Sequence, residues 1–355
     1  MPNVQPQFDQ FHSTIRLGRF DEEATLREKR AIIRKRLREC LPGVFEKYAE
    51  PYIEPTFVDQ GSYEMRTGVK PLDGDYDIDQ GVYFMVSRED YPDPVTLKKR
   101  VYEALEDHTD RVEIRRPCVT VFYLQEGEVL YHVDLAIYSD ASCNADGQDY
   151  LARGKQHSDA EHREWEVSNP KALEDALSGT YTTEDGRKQY RRIVRFMKWW
   201  KGVQYNGTGN AAPRGIGLTV AVQSFLMLPI YQDPLTASSF DDLAALRRLV
   251  DAMLANFTYQ LYDDEEEKWY ARLRVYLPVE PRNDLFARMS NKQMEGFRNQ
   301  LEELRDALVS AASAVDPRAA CMILQGVFGE DFPIPPEEET AKKLPRAIVS
   351  SSSSA

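Results

Sequence analysis

A chain of 355 residues with 42% hydrophobic content can bury a substantial core, as two domains or as one elaborated domain. Its formal net charge of −13 repels polyanions, which argues against a surface that grips long DNA or RNA and leaves room for small charged substrates neutralised by cations. No run of about 18 apolar residues occurs, and the opening MPNVQPQFDQFHSTIR has no apolar signal-type segment, so a cytoplasmic protein without membrane contact is expected.

From Asp21 to about Glu50 the sequence places Leu26, Ile33, Leu37 and Leu41 at helical spacing, with acidic residues in the first turn, and predicts a long amphipathic helix. Its other face carries Arg27, Arg30, Arg34, Lys35 and Arg38, which offer a basic binding strip, although the interleaved glutamates favour a solvated face. Residues 53–140 change character. Alternating β-branched and aromatic residues in DYDIDQGVYFMV, PCVTVFYLQ and EVLYHVDLAIY predict a mixed sheet, crossed by a helix in DPVTLKKRVYEALEDH with Asp93 as its cap. From about Glu164 onward the periodicity is mainly helical, through NPKALEDALS, DGRKQYRRIVRFMKWWKGVQ, IGLTVAVQSFLMLPIY, DDLAALRRLVDAMLANF, NKQMEGFRNQLEELRDALVSAASA and PRAACMILQGVF. The acidic run Asp263 to Glu267 reads as a solvated loop. The fold class is therefore α+β, with a sheet domain over residues 1–165 and a helical domain over 166–340. Residues 341–355, rich in proline, charge and serine, form an expected flexible tail. Cys40, Cys118, Cys143 and Cys321 lack the spacing of a zinc site or a disulfide framework.

The most informative segment runs from Gly61 to Phe84. Side chains alternate across a strand, so Asp77 and Asp79 project from one face about 7 Å apart, while Tyr76 and Ile78 enter the opposite face. Magnesium takes oxygen ligands and leaves part of its shell to water and phosphate, so a few aspartates and a triphosphate complete a site for two ions, with manganese as an alternative. A third acid is needed on a neighbouring strand. In EVLYHVDLAIY the residues Val129, Tyr131, Val133, Leu135 and Ile137 share an apolar face, which leaves Asp134 on the other with His132. Gly61 allows close approach of the backbone to phosphates, and Ser62 can donate to them. The plainer reading, in which Asp73, Asp75, Asp77 and Asp79 decorate an exposed turn and edge strand, leaves unexplained a costly acid at position 134 inside an apolar strand.

The run QGSYEMRTGVKPLDGDYDID, with Asp134 in a later strand, resembles the polymerase-β-like nucleotidyltransferase superfamily, and within it the bacterial relatives of cyclic GMP-AMP synthase and oligoadenylate synthase, the CD-NTases. The resemblance implies a polymerase-β-like mixed sheet with a long N-terminal spine helix, followed by a helical C-terminal domain. It implies donor-phosphate binding at Gln60, Gly61 and Ser62, and catalytic and metal-binding roles for Asp77, Asp79 and Asp134. The segment YRRIVRFMKWWKGVQYN resembles the helix that carries a phosphate-binding lysine, which places that role on Lys198. GIGLTVAVQSF resembles the family's next helix and makes Thr219 a nucleotide-binding candidate, with Gly215 or Gly217 where animal relatives have serine. Asn283 and Asp284 are expected to cap a helix.

The activity implied is cyclic-oligonucleotide synthesis. One NTP, ATP being expected with GTP or a pyrimidine NTP as alternatives, donates its α-phosphoryl group to the ribose hydroxyl of another, and further transfer closes a di- or trinucleotide ring. The family also implies anti-phage (CBASS) signalling, operon-encoded regulators of E1/E2-like or HORMA type, and an effector activated by the messenger. Rival readings are a linear oligonucleotide, RNA or small-molecule nucleotidyltransferase, and a noncatalytic nucleotide sensor. Negative charge argues against an RNA acceptor, and the retention of all three acids argues against a sensor.

Overall fold

Alternating apolar residues assemble the first layer of the protein, a seven-stranded mixed sheet seen in a computed structural model that describes residues 2–17, 21–72, 76–125, 128–205 and 211–337. Asp73, Asp75, the side chain of Leu26 and the proposed tail at 341–355 lie outside the described residues. The strands are β1 (Thr56–Asp59), β2 (Tyr76–Phe84), β3 (Arg111–Ile114), β4 (Val119–Gln125), β5 (Glu128–Ser139), β6 (Tyr150–Arg153) and β7 (Glu164–Val167). They run in the order β1-β2-β5-β4-β3, with β6 pairing on the end of β5 and β7 on β6. β2 and β5 are parallel and the other pairs are antiparallel.

One face of the sheet is apolar. Ile78, Val82, Val121, Val133, Leu135 and Ile137 form a core with Ile33, Leu37, Leu41 and Phe45 of the long helix α2 (Asp21–Lys47) and with Leu97 and Val101 of the crossing helix α4 (Val95–Leu105). The one-turn helix α3 (Gly61–Glu64) lies between β1 and β2.

The second layer is built by α5 (Pro170–Gly179), α6 (Glu184–Gln204), α7 (Gly215–Phe225), α8 (Asp242–Ala255), α9 (Asn291–Ser313) and α10 (Pro317–Phe328). Asn169, Thr183, Asp241, Ser290 and Asp316 cap α5, α6, α8, α9 and α10 through side-chain oxygens, each satisfying a backbone N–H of the first turn. The N-terminal helix α1 (Gln5–Ile15) joins this layer despite preceding the sheet in sequence: Phe8, Phe11 and Ile15 are fully buried in the helical core, with Phe11 stacked on Phe196 at 5.5 Å.

Several local expectations are revised. The basic face of α2 is not simply solvated: Arg30 is only 2% exposed and pairs with Asp59 at 3.0 Å, while Arg34 bonds Asp59 and Gln80, so the strip docks on the β1–β2 edge. The helical region contains a hairpin, β8 (Thr258–Asp263) and β9 (Lys268–Arg272), and the acidic run forms its end and turn. Helix α7 stops at Phe225, before the remaining apolar run ends. Asp284 accepts from the backbone of Val275 and Phe286 and fastens a turn; the nearby α9 is capped by Ser290, with Gln293 completing a capping box.

Candidate active site

The open face of the sheet gathers the candidates through strand register. Across the parallel β2–β5 pair, Asp77 lies opposite His132 and Asp79 opposite Asp134; across β4–β5, Phe122 lies opposite His132 and Thr120 opposite Asp134. The intervening Ile78 and Val133 turn into the apolar core, so alternation leaves two short polar rows on the other face. Oxygen or nitrogen atoms of Asp77, His132 and Asp134 lie within 4.8 Å of one another, and His132 Nε2 is 3.4 Å from Asp77 Oδ1. Thr120 Oγ1 donates to Asp134 Oδ1 at 2.5 Å, and Cys118 Sγ is 3.4 Å from that hydroxyl.

Asp79 is directed at the turn between β1 and β2. Gly61 adopts φ +79°, and a Cβ there would overlap Oδ2 of Asp79, so the turn and the carboxylate share one space. Burial, followed by repulsion from Asp77 and Asp134, raises the Asp79 carboxyl well above its ordinary range, with Lys198 and His132 opposing. Burial also raises Asp134, against the Thr120 hydrogen bond, and Asp77 adds to the effect. The arrangement concentrates carboxylate oxygens where their negative charge is not fully compensated, and this donor set fits hard divalent cations.

Around this centre the predicted phosphate-binding residues separate. Gly61 begins α3, whose first-turn N–H groups have no intrahelical acceptors, and Ser62 follows on the same turn. Gln60 has its side chain turned inward: it is buried, donates to Tyr83 Oη at 3.2 Å and accepts from Tyr138 Oη at 3.4 Å, leaving its extended backbone to lead into the turn. Lys198 reaches across from α6, and its Nζ lies 3.2 Å from Thr67 Oγ1 and 3.3 Å from Thr67 O. Burial, then Lys201 and Arg195, lowers its pKa to about 8, opposed by Asp79 and Asp77. Arg195, one turn earlier, donates to the carbonyls of Arg66 and Gly68, so α6 holds the loop that follows α3.

Thr219 is not brought together with these groups. It is 1% exposed, its hydroxyl donates to Gly215 O at 3.0 Å within α7, and its carbonyl accepts from Tyr190. At Gly217 a Cβ would collide with the Phe286 ring, which explains a glycine in α7 by packing. Tyr63, on the same turn as Gly61, lies under the Arg30 guanidinium at 4.3 Å and accepts from Arg27.

Thr120 and Arg195 were missed as site-shaping residues, although the alternation in PCVTVFYLQ places Thr120 opposite the apolar Val119–Val121 face. A further cationic group comprises Arg116, Arg153, Arg214 and Arg288: burial and the other three arginines depress the pKa of Arg288. Glu164 pairs with Arg116 at 3.0 Å and Glu166 with Arg153 at 2.7 Å, both from β7. Positive charge is thus locally segregated in a strongly acidic chain.

Residues 55–138 match the family model for the nucleotidyltransferase domain of DncV-like cyclic GMP-AMP synthases. A cyclic GMP-AMP synthase of Escherichia albertii is 27% identical over 183 residues, which are 49% of this chain and 38% of that protein. The matched region thus spans well under half of the curated relative's length. The crystal structure of Vibrio cholerae DncV cyclic AMP-GMP synthase shares the fold with a TM-score of 0.69 at 19% identity, over 94% of this chain and 98% of that one. The same enzyme in complex with the linear intermediate 5′ pppA(3′,5′)pG gives a TM-score of 0.64 at 20% identity, over 94% and 97% of the two chains. Sequence motif and site geometry agree with the match of residues 55–138 to the DncV-like nucleotidyltransferase domain, and the chain as a whole shares the fold of DncV.

Proposed function

We propose that the protein joins nucleoside triphosphates into a cyclic di- or trinucleotide, releasing pyrophosphate at each transfer. The observation that carries this reading is the approach of Asp77 and Asp134 ligand atoms to within 4.8 Å, with Asp79 beside Asp134 in the strand register and against the Gly61 turn. The DncV complex with a linear dinucleotide intermediate supports successive transfers in one site.

In each transfer a ribose hydroxyl oxygen bonds to the α-phosphorus of the donor, the bond from that phosphorus to the pyrophosphate oxygen breaks, and the hydroxyl proton passes to solvent. Asp77, Asp79 and Asp134 would hold two divalent ions, magnesium or manganese, which when bound neutralise the triphosphate and acidify the attacking hydroxyl. Gly61 and Ser62 place backbone N–H groups and a hydroxyl at the donor phosphates. Lys198 supplies positive charge on the helical side, and Thr120 fixes the rotamer of Asp134. The arginines at 116, 153, 214 and 288 suit the phosphates of the acceptor. Catalysis on this scheme rests on positioning and charge rather than on a covalent enzyme intermediate.

ATP is the first donor expected, with GTP or a pyrimidine NTP as partner substrate. The messenger would act in cytoplasmic anti-phage (CBASS) signalling through an effector, with E1/E2-like or HORMA-type proteins as regulators. Purified protein incubated with radiolabelled NTPs and Mg²⁺ or Mn²⁺ should yield a phosphatase-resistant product whose mass identifies a ring. Asp77→Asn with Asp79→Asn should abolish incorporation while the protein still melts cooperatively. Phosphatase-sensitive products alone, or no incorporation in the parent, would overturn the proposal.

A further inference from the structure

We infer that His132 is a direct metal ligand, which makes the centre at Asp77 and Asp134 a mixed carboxylate–imidazole site that favours a first-row transition ion over magnesium. The inference rests on the proposed metal-dependent reading and adds a ligand and a metal preference to it.

The position of His132 follows from the parallel register, which sets it opposite Asp77 and two residues before Asp134 on the same face of β5. Two atoms each about 2.1 Å from a common ion are at most about 4.2 Å apart. Ligand atoms of Asp77, His132 and Asp134 already lie within 4.8 Å of one another, so small side-chain rotations suffice to close the set. The 3.4 Å separation between His132 Nε2 and Asp77 Oδ1 is too long for a strong hydrogen bond between them, and suits two groups facing a shared ion. The imidazole is also confined. Its side chain is 13% exposed, and the Phe122 ring lies 5.9 Å away at a 35° tilt, so Nε2 is held toward the acids rather than swinging to solvent.

Magnesium is a hard ion that selects oxygen and demands a near-ideal octahedron, whereas an imidazole nitrogen raises affinity for iron, cobalt, nickel or zinc and is accepted by manganese. A centre served only by carboxylates would gain little selectivity among these ions. Replacing one water by His132 converts it into a site that discriminates between these ions.

Manganese is the probe, because it is paramagnetic and its direct nitrogen ligands give a resolvable hyperfine coupling. Pulsed EPR of metal-free protein loaded with Mn²⁺ should show the ¹⁴N coupling of a bound imidazole, and the coupling should vanish in His132→Ala and His132→Gln. Calorimetric titration should show Mn²⁺ affinity falling at least about tenfold in His132→Ala, with Mg²⁺ affinity nearly unchanged. Bound Mn²⁺ without nitrogen coupling in the parent, or an unchanged Mn²⁺-to-Mg²⁺ affinity ratio in both variants, overturns the assignment of His132 and leaves the acidic centre standing. Failure of the parent to bind Mn²⁺ or Mg²⁺ at all overturns the metal centre itself, and His132 with it.

Discussion

Oδ2 of Asp79 occupies the space that a Cβ on Gly61 would take. Two constraints therefore meet at one glycine: φ +79°, which L side chains adopt at a cost of about 1–2 kcal/mol, and direct overlap with a carboxylate of the centre. Gly61→Ala must displace either the turn or Asp79. We expect incorporation of labelled NTP to fall by more than about 100-fold, because displacements near 1 Å at a reacting centre carry losses of that size. Thermal melting should show only a modest loss of stability. Parental activity in Gly61→Ala would show that Asp79 does not need its observed position.

Strand alternation made the two acids of β2 and the single acid of β5 legible as one face, because the period of two is local and strong around Ile78 and Val133. The helices beyond residue 170 were legible for the same local reason. What the chain hid was non-local. His132 faces Asp77 only because β2 and β5 pair in parallel at that register, and no neighbouring residue announces this. The burial of Arg30 depends on Asp59 waiting on β1, so a strip that reads as solvated becomes an interface. Gln60 looks like part of a phosphate turn, yet its side chain finds Tyr83 and Tyr138 on the far side. Helix α1 did carry a signal, with Val4, Phe8, Phe11 and Ile15 at helical spacing, but the prolines at 2 and 6 disguised it.

Thr120 and Asp134 give a test of positioning. The 2.5 Å hydrogen bond from a fully buried hydroxyl fixes one carboxylate oxygen and leaves the other for a cation. Thr120→Val keeps the shape and removes the donor, a loss of about 1.5–3 kcal/mol for a hydrogen bond to a charged group. We expect activity to fall about 10- to 100-fold and the metal concentration for half-maximal rate to rise, with Thr120→Ser restoring most of both. Equal behaviour of the valine and serine variants would remove Thr120 from the site.

Glu174 on α5 predicts a pH dependence unconnected with the metal centre. Its Oε1 is buried without a hydrogen-bond partner among the described residues. Burial, with Glu64, Asp175 and Asp59 nearby, pushes its pKa from 4.5 up to about 7, against Lys171. The folded state therefore holds a proton that the unfolded state has released between these values, so this group's stabilising contribution is complete below pH 4.5 and is lost as pH rises through 7. Glu174→Gln stays neutral throughout. Its melting temperature should exceed the parent's by roughly 2–4 °C at pH 8, and the gap should close at pH 4.5. A constant difference across that range would rule out titration of Glu174 as the cause.

Lys98 is the buried cation on which the β3–β4 turn depends. It is wholly inaccessible, and its Nζ donates to the carbonyls of Arg115 at 2.5 Å, Arg116 at 2.9 Å and Gly154 at 2.7 Å. Burial draws its pKa down to about 7, yet the three carbonyls engage all three donors of an ammonium and favour the charged form. Lys98→Met would fill the volume and leave three carbonyls short of a donor, at a cost of about 3–5 kcal/mol. A drop in Tm of roughly 4–7 °C is expected from calorimetry. The turn also leads directly into β4, which carries Thr120, so activity measured well below the new Tm should fall as well. If Lys98→Met melts like the parent, the three hydrogen bonds contribute no net stability, and the link from α4 through the turn to Asp134 loses its physical basis.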